Sequence, residues 1–164
     1  MDISSYGLED LLLSALRSEV DSKEAYSKLA DGVKNFFLKD RLKFLAGEEE
    51  KHKIFLEGVF KEQFPKKEII LPKQTPVPLP EIKISDENIP ISEVLESAMN
   101  AEKAAYEFYI GLAERFLDDA EMNKKLLYIA SMEDSHYKIL EIERKNALEF
   151  EHFDQVWPMM HAGP

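Results

Sequence analysis

The chain has 164 residues, 45% of them apolar and 32% charged, with a net charge of −11 and no cysteine. That length suits one domain with a real core and is short for two ordinary ones. The acidic balance offers no basic patch for a nucleic-acid backbone, and the lack of thiols excludes disulfides, thiolate zinc sites, iron–sulfur clusters and cysteine nucleophiles from this chain.

The first predicted element is a helix over about residues 8–30, with Leu8, Leu12, Ala15, Leu16, Tyr26, Leu29 and Ala30 at helical spacing and a turn signal at Asp31-Gly32. Acids stand where a signal peptide carries lysine or arginine. No window of the chain approaches the ~18 unbroken apolar residues of a membrane span. The expectation is a cytoplasmic protein with no membrane partner.

A second helix is predicted over about 33–64, stopping before Pro65. Next comes "PKKEIILPKQTPVPLPEIKISDENIP", whose prolines forbid a helix and favour extended backbone. A third helix is predicted over about 90–117, with Pro90 and Ser92 at its start, and a fourth over about 119–150, with Asp118 and Asp119 as capping carboxylates. The connections are thus short, long, short. Short turns make antiparallel neighbours and a long crossover joins two hairpins, so the expected fold is an all-α antiparallel four-helix bundle over 1–150 with the crossover at 65–89. Residues 151–164 are expected to form a tail, packed across one bundle end or in the contact of a homodimer.

The two hairpins repeat one another. Shifting the first helix by 83 positions brings Leu12, Ser14, Ala15, Glu19, Tyr26 and Leu29 onto Leu95, Ser97, Ala98, Glu102, Tyr109 and Leu112. Shifting the second by 84 brings Leu42, Ala46, Glu49, His52 and Leu56 onto Leu126, Ala130, Glu133, His136 and Leu140. Apolar matches alone reflect helical patterning, but glutamates and histidines matching in order are far harder to obtain by chance. The repeat also sorts the acidic run "EEEKH". Glu48 and Glu49 are both spaced to share a face with His52, but Met132 stands at the position matching Glu48, so the common element is Glu-x-x-His.

Glu19 and Glu102 each fall in the middle of an apolar stripe, where an unpaired carboxylate costs several kcal/mol. They must be paired, protonated or bound to metal. Lys23 and Lys103 lie off the stripe. Four helices can therefore bring four carboxylates and two imidazoles to one level, the arrangement that holds two metals in a bundle core. Their charge of about −4 matches two divalent ions. Such ligands suit iron or manganese, with zinc also able to occupy the site. The small residues Ser22 and Ala105, one turn beyond Glu19 and Glu102, leave room for exogenous ligands. His152 and His161 have no partners at informative spacing.

In "SEVDSKEAY", "EEEKH", "AEKAAYEFY" and "MEDSH" the chain resembles the ferritin-like superfamily and, within it, the diiron domain of rubrerythrins. The resemblance implies two iron ions held by Glu19, Glu49, His52, Glu102, Glu133 and His136, with Tyr26 and Tyr109 hydrogen-bonding near the ligand carboxylates. It implies an oxidoreductase that reduces hydrogen peroxide or dioxygen with electrons from an external donor such as a rubredoxin-like protein or a reductase. Iron handling with ferroxidase activity, or oxygenation of an organic substrate, are the other activities of the superfamily. Two departures stand out: rubrerythrins carry a further glutamate where this chain has Ala105, and many carry a four-cysteine iron centre. The haem-ligand methionine of bacterioferritins is Glu50 here.

Overall fold

The computed structural model describes residues 3–83 and 89–156, and side chains up to residue 153. Four helices follow in order: α1 (Leu8–Gly32), α2 (Phe36–Gln63), α3 (Ile91–Ala113) and α4 (Ala120–Val156). No strand forms among the described residues. α1 packs chiefly on α2, and α3 on α4, giving two hairpins joined by the crossover. No described helix is long and apolar enough to cross a membrane.

Helix ends differ from the sequence expectation where local chemistry intervenes. α2 begins at Phe36 rather than 33, because Asn35 caps it: its side-chain oxygen accepts from the amides of Phe37 at 3.0 Å and Leu38 at 3.1 Å. Asn35→Ala is expected to cost about 1 kcal/mol in urea unfolding, the usual worth of such a cap. α3 stops at Ala113 and tightens into a 3-10 turn, Glu114–Phe116. Asn123 reaches back to bond the Ala113 carbonyl at 2.8 Å, and Asp119 caps α4 through the amides of Glu121 and Met122.

α4 is longer than expected and takes up residues 151–156 of the predicted tail. The sequence holds no proline or glycine between Leu117 and Pro158, and the added turn brings Glu151 to the start of α3. There its carboxylate accepts from the Ser92 amide at 3.0 Å and the Ser92 hydroxyl at 2.6 Å. Ser92 thus donates to an anion at a helix N-terminus instead of capping the helix itself. The tail from residue 157, His161 included, lies outside the described residues.

The crossover fastens to the bundle through repeat-related serines. The Val77 amide donates to Ser14 Oγ at 3.3 Å, and the Lys83 amide donates to Ser97 Oγ at 3.1 Å. Val77 is buried, and Ile69, Leu71 and Leu79 pack on the same core. Ile82 and Ile89 pack on a second core farther along. The segment therefore traverses the bundle lengthwise, and α3 starts at the end where α1 finished.

Those two cores occupy opposite ends. One is built on Leu12, Leu16, Leu56, Phe60, Leu112 and Leu126; the other is built on Leu29, Leu42, Leu45, Leu95, Ala98 and Leu140. Each fully buried leucine is worth about 1.5–3 kcal/mol. That margin lets the level between the cores accommodate polar groups that the rest of the interior excludes.

Candidate metal centre

At that middle level every helix turns a carboxylate inward. Glu19 comes from α1, Glu49 from α2, Glu102 from α3 and Glu133 from α4, each no more than 3% exposed. The i, i+3 spacing places His52 beside Glu49 and His136 beside Glu133, because residues three apart share a helix face. Both imidazoles are buried. The remainder of the acidic run is paired with lysines: buried Glu48 with Lys51 at 2.5 Å, and half-buried Glu50 with Lys23 at 2.6 Å.

The six side chains form two overlapping groups. Glu19, Glu49, His52 and Glu133 offer ligand atoms within 4.8 Å of one another, and so do Glu49, Glu102, Glu133 and His136. Glu49 and Glu133 belong to both. His52 Nδ1 lies 3.5 Å from Glu19, 3.4 Å from Glu49 and 2.9 Å from Glu133. His136 Nδ1 lies 3.3 Å from Glu49, 3.5 Å from Glu102 and 3.6 Å from Glu133. The ring centroids are 5.7 Å apart with planes 21° from parallel.

These approaches are not hydrogen bonds. Glu49 Oε1, Glu133 Oε1 and both Nδ1 atoms are buried without a hydrogen-bond partner. Orphaned polar atoms in such number are costly, and here they converge. A cation in each group would satisfy them together, and a donor set of carboxylate oxygen and imidazole nitrogen with no sulfur fits a transition metal. The cluster fits a metal site.

Two tyrosines fix the outer carboxylates crosswise. Tyr26 on α1 donates its hydroxyl to Glu102 on α3, and Tyr109 on α3 donates to Glu19 on α1. The repeat thus appears in three dimensions as a pseudo-two-fold exchange between antiparallel α1 and α3. Tyr109→Phe is expected to weaken metal binding about 10–100-fold at the position served by Glu19 while leaving the other nearly unchanged. Stepwise titration with cobalt(II) reads the two positions separately; an equal loss at both would contradict the assignment.

Protonation in the metal-free cluster follows from burial and charge. Burial and the neighbouring Glu49 raise Glu19 and Glu102 well above the ordinary carboxylate range. Burial also pushes Glu49 and Glu133 upward, but the two histidines outweigh it and both carboxyls end lower than usual. Desolvation pulls His136 down, yet Glu102, Glu133 and Glu49 raise it to about 12. His52 rises likewise, against its own burial, through Glu133, Glu19 and Glu49. Charge on the two imidazoles and on Glu49 and Glu133 is thus mutually favoured, while burial favours proton retention on Glu19 and Glu102. Tyr26 and Tyr109 are held in the phenol form by burial and by Glu102 and Glu19 respectively.

Ser22, expected to leave room near the metals, borders a surface cleft shared with Thr75, Leu79 and Pro80 of the crossover. Ala105 packs against the first core. Lys103 and His152 are exposed. Among the described residues, neither group recruits a further carboxylate. The resemblance implies a division of Glu49, Glu133 and their partners between terminal and bridging roles; the groups share both motif glutamates, a relation across helices that spacing along one helix does not carry.

A model of the rubrerythrin family matches residues 10–143. Among solved structures, a hypothetical protein from Pyrococcus furiosus superposes with a TM-score of 0.81 at 32% identity, over 91% of this chain and 95% of that one. No curated protein matches.

Proposed function

We propose, from the premise that the chain belongs to the rubrerythrin family, that it is a non-haem diiron oxidoreductase reducing hydrogen peroxide or dioxygen. The observation that carries this reading is the pair of overlapping four-ligand groups sharing Glu49 and Glu133. Glu19 with His52 would complete one position and Glu102 with His136 the other. Two iron ions held there supply one electron each, which with two protons convert hydrogen peroxide to two waters.

The chain's own part is positioning, exclusion of bulk water and proton custody. The two apolar cores close the centre above and below. Tyr26 Oη and Tyr109 Oη keep their protons against Glu102 and Glu19, so the outer carboxylates stay oriented while charge at the centre changes. With no cysteine in the chain, no thiolate iron centre within it can feed electrons, and an external donor must do so. A homodimer is the assembly we propose.

Anaerobic mixing of the ferrous-loaded protein with peroxide is expected to give rapid ferric absorbance, with one peroxide consumed per two irons. Oxidation no faster than that of free ferrous iron would defeat the reading. Uptake far beyond two irons per chain, with a large assembly in size-exclusion chromatography, would indicate iron storage instead.

A further inference from the structure

The pseudo-two-fold frame is broken on one side of the centre. Between α2 and α4 an open cavity of about 500 Å³ reaches inward to His52, within the size range of small-molecule sites. Its walls are mainly apolar, formed by Phe55, Tyr128, Ile129 and Met132, with Lys51, Lys124 and Lys125 and the carboxylate of Glu48 completing the lining. Lys51 is paired with Glu48 and Lys125 with Glu121. Lys124 has no ion-pair partner among the described residues, an unneutralised cation on a chain of net charge −11.

The repeat shows that this side is specialised. Shifted by 84 positions, Lys124 and Tyr128 correspond to Asp40 and Phe44, so the matching flank carries an acid in place of the free cation. The histidines differ accordingly. His136 Nε2 is buried without a partner, whereas His52 lines the cavity. Since Nδ1 of His52 faces the carboxylates, the opposite edge of the ring, with Nε2, is the part that meets the cavity. That nitrogen has no hydrogen-bond partner among the described residues. Histidines that ligate metals ordinarily donate their outer N–H to a carboxylate or carbonyl, which orients the ring and tunes the metal.

We propose that this cavity binds a small organic anion with an apolar body, its carboxylate lying between Lys124 and the outer N–H of His52 and its hydrocarbon part against Ile129 and Met132. The assignment rests on the metal-centre reading for its consequence at His52, but the binding itself requires only the cavity. An anion so placed supplies from outside the acceptor that the chain does not provide. It would make one metal position responsive to an organic acid and leave the position beside His136 unaffected.

Isothermal titration calorimetry with 3-phenylpropanoate tests this on the metal-loaded and the metal-free protein. One saturable site per chain is expected, at least about tenfold tighter than for 3-phenylpropanamide, which lacks the charge, or acetate, which lacks the apolar body. Lys124→Glu, at an exposed position, is expected to weaken it about tenfold or more, and Met132→Trp, which fills the cavity, to abolish it. Equal binding of acid and amide, or binding indifferent to both variants, would overturn the proposal. A second copy of the chain is the rival occupant: if Tyr128→Asp converts a dimer to a monomer and only the monomer takes up the probe, the face is an interface and the proposal fails. Saturable binding to a protein that takes up no metal would leave the cavity assigned and defeat only the diiron reading.

Discussion

Glu133→Ala is expected to remove metal from both positions at once. The carboxylate belongs to each of the two ligand groups, so its loss takes one of four donors from both and leaves His52 without the oxygen that lies nearest to its Nδ1. Loss of more than about a hundredfold in affinity at each position follows, since removing a direct ligand costs more than removing a supporting hydrogen bond. His52→Ala gives the contrast, because His52 belongs to one group alone and Glu49, Glu102, Glu133 and His136 remain intact. That variant should retain about one ion per chain. Metal content after equilibrium dialysis, with helicity checked by circular dichroism, separates the cases. Two ions per chain in Glu133→Ala, or none in a folded His52→Ala, would disprove the shared role of Glu133.

The second large effect concerns the metal-free protein and has the opposite sign. Glu19→Gln with Glu102→Gln is expected to stabilise it by about 1–4 kcal/mol at pH 8, because each tenfold excess in proton affinity of a folded-state carboxyl over the unfolded one costs about 1.4 kcal/mol once the pH is high. Glutamine keeps an oxygen to accept the hydroxyls of Tyr109 and Tyr26. In the wild type both carboxyls have raised pKa values because they are buried and face Glu49. A folded state that holds these protons more tightly than the unfolded chain is at its most stable below the unfolded pKa of about 4.5 and loses stability as pH rises toward the raised value. The advantage of the double variant should therefore be small at pH 4.5 and grow toward pH 8. With metal bound the order reverses, because binding to the folded state adds stability that the variant forfeits. Urea unfolding with and without metal at both pH values measures all four states. A metal-free wild type as stable as the variant at pH 8 would show that the buried carboxylates carry no such cost.

The bundle itself was legible because four long amphipathic segments separated by a short, a long and a short connection admit few arrangements. The inward carboxylates were legible through contradiction, since Glu19 and Glu102 interrupt stripes that otherwise read as core. "MEDSH" then distinguished Glu49 from Glu48 by preserving only one of them. Helix ends were less legible, as they depend on single hydrogen bonds such as those of Asn35 and on contacts distant in sequence. Glu151 is the clearest case: nothing within 151–156 announces that this carboxylate meets Ser92, 59 positions earlier. The role of Ser14 and Ser97 was visible only as a repeat match until the crossover amides were placed on them.

The sequence alone determined the kind of fold, the family resemblance and the six polar side chains that an apolar interior has to accommodate. Those follow from periodicity and from the cost of burying charge, both of which are local and counted along one chain. Tertiary structure decided which carboxylates the two groups share, which tyrosine serves which glutamate, and that the flank at His52 opens while the outer nitrogen of His136 is sealed. These are relations between helices, set by how the two hairpins pack across the bundle axis. A repeat that is nearly symmetric in sequence cannot reveal them, because small differences such as Met132 against Glu48 or Lys124 against Asp40 acquire their meaning only from the neighbours that packing supplies.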